Sequence, residues 1–232
     1  MTHNEAGNYR FVGLEGRPFS AGAVADAGFD IAHVTFVRPI PLEEGVAAAV
    51  RHLSSKGRPV ESIAGMELRI PTALSRADFE AFNQRYVAAL HEVGLAVNGT
   101  IPAARTNVAP TIGTVTEPSV FGFSYTIPIS RKPSAFILSG VPEEVQGNAG
   151  EMLSNIAAIL ASRAADLGCA LTNATNIQIY AAVALDPASL AGVADAFGDA
   201  IIQGMRWFPS LPPIEGLNFE IDARSSGSDL TI

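Results

Sequence analysis

The sequence predicts an α+β protein made of two successive similar units, and three observations predict it. Apolar residues alternate between period-two runs and 3.6-residue stripes in the order strand, helix, strand, helix, strand, and the whole order occurs twice. Residues 65–82 (GMELRIPTALSRADFEAF) align without a gap with residues 176–193 (NIQIYAAVALDPASLAGV) at a constant offset of 111. A repeat of that length marks duplicated domains, since solenoid units are much shorter. The 232 residues also suffice for two cores. The expected division is 1–130 for the first unit and 134–232 for the second, with a linker near Ser130 to Pro133.

In the first unit, residues 29–37 (FDIAHVTFV) read as a strand, preceded by an extra N-terminal strand or hairpin. After Pro39 and Pro41, residues 42–55 place Leu42, Val46, Ala49, Val50 and Leu53 at helical spacing. Residues 63–70 (IAGMELRI) form the next strand. Ser75, with Asp78 three positions on, caps a helix striped by Phe79, Phe82, Tyr86, Leu90 and Val93. A β-rich run at 120–129 closes the unit.

The second unit opens with a strand at 135–139 (AFILS). A helix over 149–166 follows, burying Met152, Leu153, Ile156, Ile159 and Leu160, and then a strand at 177–183 (IQIYAAV). Asp186 before Pro187 reads as an N-cap with proline in the first turn, opening a helix with Leu190, Val193, Phe197 and Ile201. Residues 217–223 (LNFEIDA) are the last strand.

Composition excludes several classes of function. Hydrophobic residues make up 48% and charged residues 16% of the chain, so part of the surface is expected to be lost in subunit contacts. The net charge of −8, without a Lys/Arg block, argues against a nucleic-acid partner or an anionic membrane surface. Residues 1–15 lack the basic start and apolar run of a signal peptide, and the most apolar later window, 156–174, is interrupted by Arg163 and Asp166. A cytoplasmic location is the expectation. Cys169 is the single cysteine, which rules out an intrachain disulfide, and His3, His33, His52 and His91 lack metal-ligand spacing. No metal and no nucleotide fingerprint is expected.

One cation stands apart. Pro102, Ala103, Ala104, Arg105, Thr106, Asn107 and Val108 lie between a helix and an apolar strand, and read as a loop carrying an isolated arginine. Its planar fork matches a carboxylate through two parallel hydrogen bonds. This stretch resembles the P-A-R-[ST]-x-V signature of the Rid family (reactive intermediate deaminases, formerly YjgF). In the second unit, Ile137 to Pro142 resembles that family's strand-end S-G-x-x-P segment, and Phe219 to Ala223 its final strand with an acidic residue. Each unit holds what the other is missing: His33 to Phe36 lacks the Ser-Gly pair, and the stretch after Trp207 lacks the arginine.

The resemblance implies two chorismate-mutase-like repeats, each a mixed β-sheet with two helices packed on one face, assembling as a trimer-like homo-oligomeric ring. It implies a cleft between the units that gathers Arg105 and Asn107 from one side and Ser139, Gly140 and Glu220 from the other, covered by Phe19. Arg105 would hold a substrate carboxylate, helped by the Gly140 amide, while Glu220 or the Asn107 carbonyl orients water. The implied reaction is cofactor-free hydrolytic deamination of a small carboxylate-bearing enamine or imine, of 2-aminoacrylate or 2-aminomuconate type. The alternatives are a non-catalytic anion-binding paralogue and a ring-acid hydrolase of related fold. Glu220 and Asp222 also admit a reading as polar positions on a half-exposed strand.

Overall fold

A computed structural model describes residues 1–129 and 135–232, so the expected linker at Ser130 lies outside the described residues. The chain begins with β1 (Thr2–Asn4), β2 (Tyr9–Gly13), β3 (Phe19–Ala25) and β4 (Phe29–Pro41). Then follow α1 (Leu42–Ser55), β5 (Ile63–Arg69), α2 (Arg76–Glu92), β6 (Ile101–Pro110) and β7 (Ser119–Pro128). The later part holds β8 (Phe136–Pro142), α3 (Ala149–Leu167), β9 (Asn176–Ala181), α4 (Ala191–Phe197), β10 (Arg206–Phe208), β11 (Ser210–Leu211), β12 (Phe219–Ser225) and β13 (Ser228–Thr231).

The strands form one 13-stranded sheet among the described residues, with the main order β10-β9-β12-β8-β3-β6-β5-β7-β4-β13. This corrects the expectation of two Rid-like, chorismate-mutase-like repeats, each with a mixed sheet of its own and two helices on one face. The physical reason is β3. It pairs parallel with β6 at Phe19 and Ser20, then antiparallel with β8 from Gly22 to Val24, and so joins strands of both halves into one hydrogen-bonded surface. Its other edge carries β2. All seven residues of β3 are buried, as a strand covered on both sides requires.

Two of the three apolar clusters among the described residues pack helices against this sheet. One packs α1 and α2 against β4 to β7 through Leu42, Val46, Phe82, Tyr86, Leu90 and Phe123. The other packs α3 and α4 against β8, β9 and β12 through Leu153, Ile156, Leu160, Ile179, Phe197 and Ile221. Ser75 caps α2 by accepting from the Asp78 amide at 3.2 Å. Asn148 and Glu151 form a reciprocal capping box on α3. The helix expected after Asp186 is much shorter: Asp186 caps only a turn, accepting from the Ser189 amide at 3.0 Å, and α4 stops at Gly198, whose φ of +51° leaves the right-handed helical region. Among the described residues no helix is long and apolar enough to cross a membrane.

Candidate active site

Arg105 lies within β6 and not in a loop. Pro102 is tolerated at the second position of the strand, and β5 pairs with β6 from Gly65/Ala104 to Arg69/Val108. Alternation along β6 sends Ala103, Arg105 and Asn107 toward the α2 side. Aromatic rings close around the guanidinium: its Cζ lies 4.4 Å from the Phe19 ring centre, 4.8 Å from Tyr86, 5.5 Å from Phe79 and 5.7 Å from Phe82. Cation–π attraction offsets part of the cost of burying this charge. Burial still depresses its pKa, with Tyr86 and Glu220 acting in the opposite sense. Arg105 Nη1 and both side-chain polar atoms of Asn107 are sealed from solvent and have no hydrogen-bond partner among the described residues. These donors and the Asn107 acceptor are thus uncommitted within the protein and available to hydrogen-bond a molecule in the cavity.

Glu220 comes from the other half, on β12 between β8 and β9. Phe219, Ile221 and Ala223 enter the α3 core, while Glu220, Asp222 and Arg224 point to the opposite face. That face is covered. Glu220 is 2% and Asp222 4% exposed, which sets aside the half-exposed reading. Burial, with the charge of Asp222 behind it, pushes the Glu220 carboxyl up to about 8; Arg105 and the Asn107 backbone amide pull the other way. Near neutral pH the group therefore holds a proton, poised to give or take one. Gly140 makes room for it, because a Cβ there would collide with Glu220 Oε1.

The six residues singled out from sequence, Phe19, Arg105, Asn107, Ser139, Gly140 and Glu220, all line one cavity of about 300 Å³ between the two halves. Two of them are engaged differently from expectation. The Gly140 amide donates to Thr106 Oγ1 at 3.2 Å, and Thr106 in turn donates to Asp222 Oδ2 at 2.6 Å. It is thus not free to bind a carboxylate. Ser139 donates to the Ala21 carbonyl at 2.8 Å and accepts from Arg163 Nη1 at 3.0 Å.

Sequence reasoning missed Arg163, Arg17 and Glu144, which also line the cavity. For Arg163 a signal existed: a cation beside the inward-facing Leu160, Ala164 and Leu167 of α3.

Behind the cavity the halves meet in a buried polar layer. Glu67 Oε1 accepts from Arg224 Nη1 at 2.8 Å and from Gln178 Nε2 at 3.1 Å, while Tyr180 Oη donates to Asp222 Oδ2 at 3.0 Å. His33 belongs to this layer and not to the cavity: its Nδ1 lies 2.8 Å from Ser124 Oγ, and burial lowers its pKa to about 4. Among the described residues no group of three or more His, Cys, Asp or Glu is arranged to hold a metal ion.

A cavity that pairs an orphaned guanidinium with a protonatable carboxyl is suited to carboxylate-bearing substrates and proton transfer. The sequence model of the family described as "2-aminomuconate deaminase CnbZ" matches residues 1–230. A 2-amino-5-chloromuconate deaminase from Comamonas testosteroni is 32% identical over 241 residues, covering 95% of this chain and 94% of that one. The chain belongs to the 2-aminomuconate deaminase CnbZ family. That corrects the Rid assignment, which rested on short motifs at Pro102 to Val108, Ile137 to Pro142 and Phe219 to Ala223 and on the order of elements, whereas the family model spans nearly the whole chain. Among solved structures, a chorismatase aligns with a TM-score of 0.44 at 14% identity, covering 94% of this chain and 80% of that chain. A cyanuric acid hydrolase aligns with a TM-score of 0.44 at 13% identity, covering 87% and 69%.

Proposed function

We propose that this protein hydrolyses the C–N bond of a 2-aminomuconate-type enamine, releasing ammonia and a 2-oxo acid. The observation that carries the proposal is the orphaned Arg105 guanidinium sharing one cavity with the protonatable Glu220. Family membership supports it.

Arg105 takes the carboxylate next to the amino-bearing carbon, and the aromatic rings around it keep water from competing. Protonated Glu220 delivers its proton to the enamine carbon, so that C=C–NH2 becomes CH–C=NH2⁺. The carboxylate left behind then accepts a proton from water as the water oxygen adds to the iminium carbon. The carbinolamine passes its hydroxyl proton to nitrogen and expels ammonia, forming the ketone. Atoms and charge balance with water as the only co-reactant. Glu220 acts first as acid and then as base, which suits a group titrating near 8.

The test is ammonia release from freshly generated 2-aminomuconate with purified protein. Catalysed release that disappears in Arg105→Ala is expected. Binding of muconate without any acceleration would make the protein an anion binder and refute the proposal.

A further inference from the structure

The charges around the cavity are unevenly paired. Three guanidinium groups, Arg17, Arg105 and Arg163, and three carboxyl groups, Glu15, Glu144 and Glu220, line it. Arg17 is paired with Glu80. Neither Arg105 nor Arg163 has a carboxylate oxygen within 4.0 Å among the described residues. Two arginines, one from each half, thus make no contact ion pair, and the cavity carboxyls Glu144 and Glu220 act on Arg163 only from farther away.

Arg163 is held by hydrogen bonds as well as by packing. It stands on the flank of the α3 stripe, and its Nη1 donates to Ser139 Oγ at 3.0 Å and more weakly to the Ser139 carbonyl at 3.4 Å. Ser139 is itself fixed by the Ala21 carbonyl. One nitrogen of the fork is used to aim the group, and Nη2 and Nε have no hydrogen-bond partner among the described residues. Glu220 lies within the electrostatic reach of both arginines, and Glu144 within that of Arg163.

We propose that Arg163 binds a second carboxylate of the substrate, making the cavity selective for dicarboxylates over monocarboxylates. Resting on the deaminase reading above, this places the amino end of the substrate at Arg105 and the far carboxylate at Arg163. The role of Ser139 changes accordingly: it positions Arg163 and does not touch the substrate.

The probes are muconate and sorbate, six-carbon dienoic acids with two carboxylates and one, titrated into the full-length protein by calorimetry. Wild type is expected to bind muconate at least about 10-fold more tightly than sorbate, as a second charge-assisted contact should provide. Arg163→Gln should bring muconate down to the sorbate level while leaving sorbate within about twofold, and Arg163→Lys should retain part of the preference. Ser139→Ala, which leaves the guanidinium present but unaimed, should reduce the preference less than Arg163→Gln does and decides the matter if Arg163→Gln fails to fold. An unchanged muconate-to-sorbate ratio in Arg163→Gln, or in Ser139→Ala if that variant must stand in, overturns the proposal. Wild type that binds neither acid defeats the deaminase reading together with this one, whereas binding with an unchanged ratio defeats this one alone.

Discussion

The strands β5 and β9 sit at corresponding positions of the 111-residue self-alignment, and comparing their surroundings shows how this chain divides its work. Positions 67 and 178, equivalent in the alignment, touch: Gln178 Nε2 donates to Glu67 Oε1 at 3.1 Å. Positions 69 and 180 also meet, with Arg69 Cζ 5.5 Å from the Tyr180 ring centre. Beyond these strands the halves differ. β5 is flanked by the ten-residue β6 that carries Arg105, while β9 is flanked by the three-residue β10, followed by Pro209, Pro212 and Pro213. The 17-residue α2 supplies three of the four aromatic rings around Arg105, Phe19 of β3 being the fourth; the seven-residue α4 supplies no such wall. One half carries Arg105 and the other carries Glu220, and both line the same cavity.

The comparison breaks first at Arg105. If its fork clamps the substrate carboxylate, Arg105→Lys should lose nearly as much kcat/KM as Arg105→Ala, on the order of a hundredfold or about 3 kcal/mol. Near-wild-type turnover by the lysine variant would mean that a point charge suffices. The complementary test in the second half is Glu220→Gln. It keeps the shape and removes proton exchange, so kcat should fall by roughly a hundredfold or more while muconate still binds. Equal rates for this variant and wild type would reduce the second half to scaffolding.

Much of this division was legible in the sequence, and what was not has identifiable causes. Ser75 with Asp78 announced α2 because capping is decided within one turn. Arg105 stood out as an isolated cation, and Gly140 and Glu220 through the resemblance of their short segments to Rid motifs. The strand around Arg105 read as a loop because Pro102 and a lone charge suggest one; the structure makes it a strand because β3 and β5 satisfy its edges from distant parts of the chain. The burial of Glu220 was hidden for the same reason, since the face opposite its apolar neighbours is covered by residues from the other half. The single sheet followed from β3, whose pairing with β8 spans more than a hundred residues and leaves no local signature.

Gly140 sharpens the comparison with a smaller effect. In Gly140→Ala the new methyl takes the space of Glu220 Oε1, and the end of a flexible side chain can swing away from it. The fold should survive, muconate affinity should hold, and kcat should drop about tenfold as the carboxyl leaves its place, a rise of roughly 1.4 kcal/mol in the barrier. Unchanged turnover would show that the exact seat of Glu220 does not matter.

The smallest effect is on stability, and it asks whether the second half stores its proton in the resting protein. Glu220 holds its proton more tightly folded, with a pKa near 8, than unfolded, where it lies near 4.5, so its contribution to stability falls as pH rises between those values. Asp222, raised to about 6 chiefly by burial and by Glu67, acts in the same direction between about 3.8 and 6. His33, lowered to about 4 by burial, acts oppositely, since the folded protein resists its protonation and stability rises between about 4 and 6.5. Above pH 6.5 the Glu220 window stands alone among these three. Wild type should therefore lose melting temperature from pH 6.5 to 8.5, and Glu220→Gln should lose clearly less. The carboxyl lines a cavity open to solvent, which relaxes its penalty to on the order of 1 kcal/mol, or roughly 2–4 °C for a chain of this size. Parallel melting curves for the two proteins across that interval would place the Glu220 proton elsewhere and remove the acid step from the proposed reaction.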